Sequence, residues 1–226
     1  MACQSRGFVL AVLVGLSGVA PATADEAEDR AVATVVKLGV RAWRDETKPD
    51  KPVISVTLTD TRVTDAGLKE IGQLRNLAYL HLRGTKVSDV GLRELSQLRG
   101  LTYLHLGGTK VTDAGLRELA QLRGITYLHL GGTKVTDAGL RELAPLQGLL
   151  TLDLGGTKVT DAGLRELAPL RKLTTLNLAT TKVTNQGIEE LSALPKLTAL
   201  TVTNTKVTLI GIQELKKALP FCNVIH

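Results

Sequence analysis

The stretch LTYLHLGGTKVTDAGLRELAQLRG, residues 101–124, is followed at once by ITYLHLGGTKVTDAGLRELAPLQG, residues 125–148, and the two agree at 21 of 24 positions. Self-similarity at a fixed period marks stacked architectures, so this 24-residue period organises the rest of the chain. Carried outward, it gives seven units that begin at Val53, Leu77, Leu101, Ile125, Leu149, Leu173 and Leu197 and end near Pro220.

In the unit from Leu101 the apolar positions are Leu101, Leu104, Leu106, Val111, Leu116, Leu119 and Leu122. Leu104 and Leu106 alternate with Tyr103 and His105, the period of two that belongs to a strand with one buried face. From Leu116 the apolar residues recur at every third position along AGLRELAQL, which predicts a helix of two to three turns. GGTKVTD joins the two, and Thr112 or Asp113 is placed to cap the helix by accepting from a first-turn N–H. Each unit therefore reads strand, loop, helix, return. Strands that all run one way with short returns predict an α/β solenoid, a right-handed coil with a parallel sheet on its concave side and short helices on its convex side. With only six aromatic residues in the chain, its core is expected to be a series of equivalent aliphatic layers, each completed by its neighbours.

The pattern LxxLxL followed by loop and helix, as in LTYLHLGGTKVTDAGL, resembles the leucine-rich repeat. Its VTDAGL segment is similar to the subclass shared by F-box-associated and many bacterial leucine-rich proteins. The resemblance covers residues 53–226 and implies a non-enzymatic binding module whose partner surface is the concave sheet face. Many such repeats carry Asn in the loop, where this chain has Thr61, Thr85, Thr109, Thr133, Thr157, Thr181 and Thr205. A ladder of threonine hydroxyls bonding the loop backbones is expected in its place. Gly67, Gly91, Gly115, Gly139, Gly163, Gly187 and Gly211 fall inside or at the start of each helix, where glycine costs about 1 kcal/mol against alanine. Their recurrence predicts close backbone approach between neighbouring coils.

Residues 1–24 fit a secretory signal peptide, with Arg6, an apolar run over 8–20 and Ala22-Thr23-Ala24 before Asp25. A run of about 13 residues is too short for a hydrocarbon core of about 30 Å. An exported protein is expected, periplasmic, envelope-bound or extracellular, with no membrane span after cleavage. Cys3 leaves with the signal, so Cys222 has no internal disulfide partner and reads as a buried thiol. Residues 25–52 are expected to cap the N-terminal end, with Ala27, Ala31, Val32, Val35, Val36 and Leu38 on a helical face and 40–44 extended. Those 28 residues leave little room for an F-box. Residues 221–226 are expected to cap the other end, past Leu209, which replaces the Asp or Asn of earlier units.

No catalytic motif stands out. GGTK lacks the rest of GxxxxGK[ST], no paired Cys or His spacing suggests zinc, and no Ser, His, Asp arrangement is visible. The chain reads as no enzyme, with no cofactor and no metal. The third and fifth positions of each unit point away from the core: Ser55/Thr57, Tyr79/His81, Tyr103/His105, Tyr127/His129, Thr151/Asp153, Thr175/Asn177 and Ala199/Thr201. With strands about 4.8 Å apart, Tyr79, Tyr103 and Tyr127 form one ladder and His81, His105 and His129 another, bordered by Arg83 and Asp153. Tyrosine offers a large surface with a polar tip at low entropic cost, so these eight residues are the candidate site for a protein partner. Parallel imidazoles at that spacing do not converge on a metal. The competing account is that duplication copies the ladder whether or not it binds.

The formal charge of +6 reads as spread rather than patched. Within the unit from Leu101, Lys110, Arg117 and Arg123 face Asp113 and Glu118, and Asp113 with Arg117 is spaced as a helical i,i+4 pair. Lys86, Lys110, Lys134, Lys158, Lys182 and Lys206, with Arg62 ahead of them, make a loop column. That column supports the alternative of a structural or cell-envelope protein holding an anionic polymer. Dispersed charge and export both argue against nucleic acid.

Overall fold

The computed structural model describes residues 24–37, 41–60 and 62–226. The signal peptide expected over 1–24 lies outside them except for Ala24, and Thr61 of the threonine column lies outside them too. Helix α1 (Ala24–Lys37) and strand β1 (Arg41–Arg44) precede the coils. Seven strand-and-helix coils follow: β2 (Val53–Thr57) and α2 (Asp65–Ile71), β3 (Tyr79–His81) and α3 (Asp89–Arg93), β4 (Tyr103–His105) and α4 (Asp113–Leu119), β5 (Tyr127–His129) and α5 (Asp137–Arg141), β6 (Thr151–Asp153) and α6 (Asp161–Arg165), β7 (Thr175–Asn177) and α7 (Asn185–Glu189), β8 (Ala199–Thr201) and α8 (Leu209–Ala218). Strand β9 (Asn223–Ile225) closes the series.

The nine strands form one open sheet in chain order, with β1 antiparallel to β2 and every later pair parallel. Parallel register advances by one full unit each time, so Leu104 lies beside Leu80 and Leu128. Leucines of strand and helix, except the exposed Leu209 that opens α8, are enclosed between the layers, and the core runs without a break from Ala31 to Cys222. β9 goes beyond the sequence reading. Phe221 and Cys222 break the apolar pattern, yet Asn223 pairs with Ala199 and keeps the 24-residue register. Cys222 is buried, and burial pushes its thiol pKa up, so it is an inert packing group. In α1, Ala31 and Val35 are buried as expected, whereas Val36 turns outward and is 64% exposed.

Helices α2 and α4 have seven residues and α8 ten, in line with the period-three leucines, but α3, α5, α6 and α7 are shorter. α5 has five residues, and the chain continues in i→i−3 bonds, from the Leu143 N–H to Leu140 O (3.1 Å), from Leu146 to Leu143 (2.9 Å) and from Leu149 to Leu146 (2.9 Å). A 3₁₀ conformation has three residues per turn. Leucines spaced by three suit that tighter conformation as well as they suit the stripe of an α-helix. Pro145 and Pro169 also forbid a continuing α-helix in two coils.

Two polar expectations are corrected. The threonine hydroxyls do not link neighbouring loops: Thr109 Oγ1 donates to Leu106 O and Thr133 Oγ1 to Leu130 O, both at 2.6 Å, closing the turn of their own coil. A hydroxyl three residues from a carbonyl in a tight turn reaches it before any neighbouring loop. Backbone groups carry the loop-to-loop ladder instead, such as Gly108 N–H to Gly131 O at 2.8 Å. Asp113 does not pair with Arg117 either. Its carboxylate accepts from Thr136 N–H (2.8 Å) and Thr136 Oγ1 (2.7 Å) in the next coil, while Arg117 reaches Glu142 at 3.4 Å. Two short charge-assisted bonds to a half-buried hydroxyl and amide outweigh an exposed helical ion pair. The same reach runs from Asp65 to Ser88, Asp89 to Thr112, Asp137 to Thr160, Asp161 to Thr184 and Asn185 to Thr208. Capping falls to Thr112, whose Oγ1 accepts from the Ala114 N–H at 3.3 Å.

The eighth position of each coil turns left-handed: Gly84, Gly108, Gly132 and Gly156 have φ of 68–69°, and Thr180 holds φ 58° in the same place. A β-branched residue there costs about 1–2 kcal/mol, against roughly 0.5–1 kcal/mol of extra chain entropy lost by glycine. Thr180→Gly is therefore expected to stabilise the protein by about 0.5–1 kcal/mol in urea denaturation. A lower midpoint at unchanged slope would refute the strain assignment.

Candidate sheet-face site

Pleat alternation sends Leu80, Leu104 and Leu128 into the core and leaves their neighbours on the opposite face. The parallel register then sets Tyr79, Tyr103 and Tyr127 in one row and His81, His105, His129 and Asp153 in the next. The tyrosine rings stack with centroids 4.0 and 4.4 Å apart and planes within 14°. His105 and His129 stack at 3.9 Å and 8°, while His81 is tilted 32° from His105 at 4.1 Å. Rings that close touch along their whole faces, closer than the strands themselves, so six side chains make one continuous aromatic surface.

Three fifth-position side chains are fixed by their own loops. His105 Nδ1 accepts from Gly107 N–H at 3.1 Å, Asp153 Oδ1 from Gly155 N–H at 2.7 Å, and Asn177 Oδ1 from Ala179 N–H at 2.9 Å. Glycine at position 107 makes this possible, because a Cβ there would sit 2.8 Å from His105 Cε1. Where Arg83 occupies that position, His81 turns away and pairs through Nδ1 with Thr59 Oγ1 at 3.0 Å. His129 instead bonds Asp153 Oδ2 through Nε2 at 2.7 Å, leaving Nδ1 buried without a partner. Thr59 and Asn177 thus belong to the site although the tyrosine and histidine columns did not point to them. The glycines two residues beyond His105 and Asp153 were the available signal.

Electrostatics follow from this packing. Burial, then the positive fields of His129, His81 and Arg83, pulls the His105 pKa down to about 3, so that ring is neutral at physiological pH. His81 is lowered in the same direction, chiefly by burial. The Tyr103 hydroxyl is raised by burial and by its two tyrosine neighbours, so it stays protonated. Burial alone would raise Asp153, but hydrogen bonds from His129, Gly155 and Asn177 together hold it below the ordinary aspartate range. At the centre of the face uncharged Tyr103 lies beside a buried, uncharged His105, with a cation at exposed Arg83 and an anion at half-buried Asp153. Among the described residues no group of three or more His, Cys, Asp or Glu is arranged to hold a metal ion, and no helix is long and apolar enough to cross a membrane. The loop lysines from Lys86 to Lys206 lie exposed.

The family description "leucine-rich repeat region" matches residues 55–219. The chain belongs to the leucine-rich repeat family. No curated protein sequence matches it. Among solved structures it resembles a leucine-rich repeat protein of Leptospira interrogans, with 23% identity, a TM-score of 0.50, and coverage of 70% of this chain and 45% of that one. It also resembles an internalin C2 of Listeria monocytogenes, with 22% identity, a TM-score of 0.56, and coverage of 87% and 90%. The chain therefore spans less than half of the Leptospira protein. At such identities the likeness is one of fold. Leucine-rich repeat arrays commonly serve protein–protein interaction through the extended surface their stacking creates.

Proposed function

We propose that this leucine-rich repeat protein is an exported, non-enzymatic binding module that holds a protein partner on its sheet face through Tyr79, His81, Arg83, Tyr103, His105, Tyr127, His129 and Asp153. The stacked rings, with His81, His105 and His129 each held by a hydrogen bond, carry this reading. Their side chains are ordered before any partner arrives, so little conformational entropy is lost on binding, and large rings with polar tips are the residues that dominate interface energies. Export rests on the likeness of residues 1–24 to a signal peptide, and the capping roles of 25–52 and 221–226 rest on their place at the ends of the period. We also group the repeats with the VTDAGL-bearing subclass. The Asp and Gly of that segment have a shared use here, the first reaching the next coil and the second leaving room for the carboxylate that arrives.

The test compares the native chain with Tyr103→Ala/His105→Ala in affinity capture from envelope and culture-fluid extracts, followed by titration of each retained protein. A partner is expected to bind the native chain with a Kd at least about 30-fold lower than it binds the variant, the size of a hot-spot loss of about 2 kcal/mol. Equal affinities, with circular dichroism unchanged, would overturn the sheet-face assignment.

A further inference from the structure

Charge in this molecule sorts by face, contrary to the even spread read from sequence. Along the helical face Arg93, Arg117, Arg141 and Arg165 each meet a glutamate of the next coil, at 3.2, 3.4, 3.1 and 2.9 Å, so that column is self-neutralised. The turns that return from helix to strand are different. Arg75, Arg99, Arg123, Arg171, Lys172 and Lys196 all lie there and all are exposed. Residues 71–80, 95–104, 119–128, 143–152, 167–176 and 191–200 contain no Asp or Glu. Among the described residues none of these six cations has a carboxylate within ion-pair distance.

The edge is also rigid and grooved. Its backbones are tied coil to coil, from Thr102 N–H to Ala78 O (2.9 Å), Thr126 to Thr102 (2.9 Å), Leu150 to Thr126 (2.8 Å) and Thr174 to Leu150 (2.8 Å). Three adjoining grooves of about 400, 300 and 590 Å³ share Arg123 as a wall, and Arg99 and Arg171 stand on either side of it. Gln121 and Gln147 line the same grooves, over the bare backbone of Gly124 and Gly148.

We propose that this return edge binds an acidic polysaccharide. Guanidinium forks match the planar carboxylates of such a chain, and walls of one sign concentrate the field between them. The glutamine amides, which both donate and accept, suit the hydroxyls that lie between acid groups. Because the grooves are open and continuous, the ligand lies across successive coils rather than entering a cavity. None of its six cations is among the sheet-face residues.

The experiment is titration calorimetry of the full chain with polygalacturonate oligomers, beside Arg99→Gln/Arg123→Gln/Arg171→Gln/Lys172→Gln and a charge-matched Lys110→Gln/Lys134→Gln/Lys158→Gln/Lys182→Gln control. The expected result is a Kd raised about tenfold or more in the return-edge variant and about twofold or less in the loop control, with dextran not bound and polyphosphate bound more weakly. Equal weakening in both variants would mean bulk charge and overturn the proposal. So would polyphosphate binding as tight as polygalacturonate, or no binding by the native chain. Both variants alter exposed side chains only, and unchanged melting temperatures confirm that folding is not what is being read.

Discussion

Leu128→Ala is expected to cost about 3–5 kcal/mol, the upper part of the range for a buried leucine truncated to alanine. Leu128 is fully buried in β5, with Leu104 and Leu152 beside it in the adjoining strands. The cost depends on how far the surroundings can collapse into the space. Here they collapse little, because the neighbouring backbones are held at fixed spacing by the parallel ladder on both sides. The matched position Leu200 lies in β8, next to the last strand, where fewer layers resist relaxation. Leu200→Ala is expected to cost about 1–2 kcal/mol less. Urea unfolding of both variants gives the comparison, and a Leu128→Ala loss below about 1.5 kcal/mol would contradict a core of interlocked layers.

Gly139→Ala is expected to cost about 2–4 kcal/mol, although helix propensity alone favours alanine by about 1 kcal/mol. A Cβ at position 139 would collide with Asp113 Oδ1. That oxygen cannot simply rotate away, since the same carboxylate holds Thr136 N–H and Oγ1, each a bond to a charged acceptor worth about 1.5–3 kcal/mol. The decisive measurement is a double-mutant cycle. In an Asp113→Ala background the obstructing oxygen is gone, and Gly139→Ala should then cost less than about 1 kcal/mol or stabilise. An identical cost in both backgrounds would assign the glycine to some other contact.

The fold was legible because the period was. Strand alternation around Leu104, the single sheet and the glycine column all follow from 24-residue spacing and elementary packing. The return turns were read less well, since leucines at every third position suit an α-helix stripe and a 3₁₀ run alike, and only the Leu140 to Leu149 hydrogen bonds distinguish them. Polar pairing failed for a specific reason. Asp113 lies four residues from Arg117 in the chain and 23 from Thr136, but stacking brings position 136 nearest, and no linear spacing rule contains that neighbour. In the candidate site the two ring columns were plain from positions three and five. The hold of Gly107 on His105 was not, because a backbone N–H leaves no side-chain signature. The arginine edge was written in full in the sequence as six stretches without an acid, and became visible only once the returns were known to lie side by side.

The reach of each aspartate into the following coil runs in one direction, and this bears on how such a protein changes length. The four seams from the second to the sixth coil all use Asp with Thr, as in Asp89 with Thr112 and Asp137 with Thr160. Excising or inserting one whole period between the second and sixth coils regenerates both halves of the seam, and the molecule grows or shrinks without a mismatch. Beyond the seventh coil this fails, because Leu209 stands where an acceptor is needed and offers an exposed aliphatic side chain instead. The middle of the array is thus the part that tolerates a change of length, and residues 101–124 and 125–148 are alike enough to be exchanged there without altering a seam.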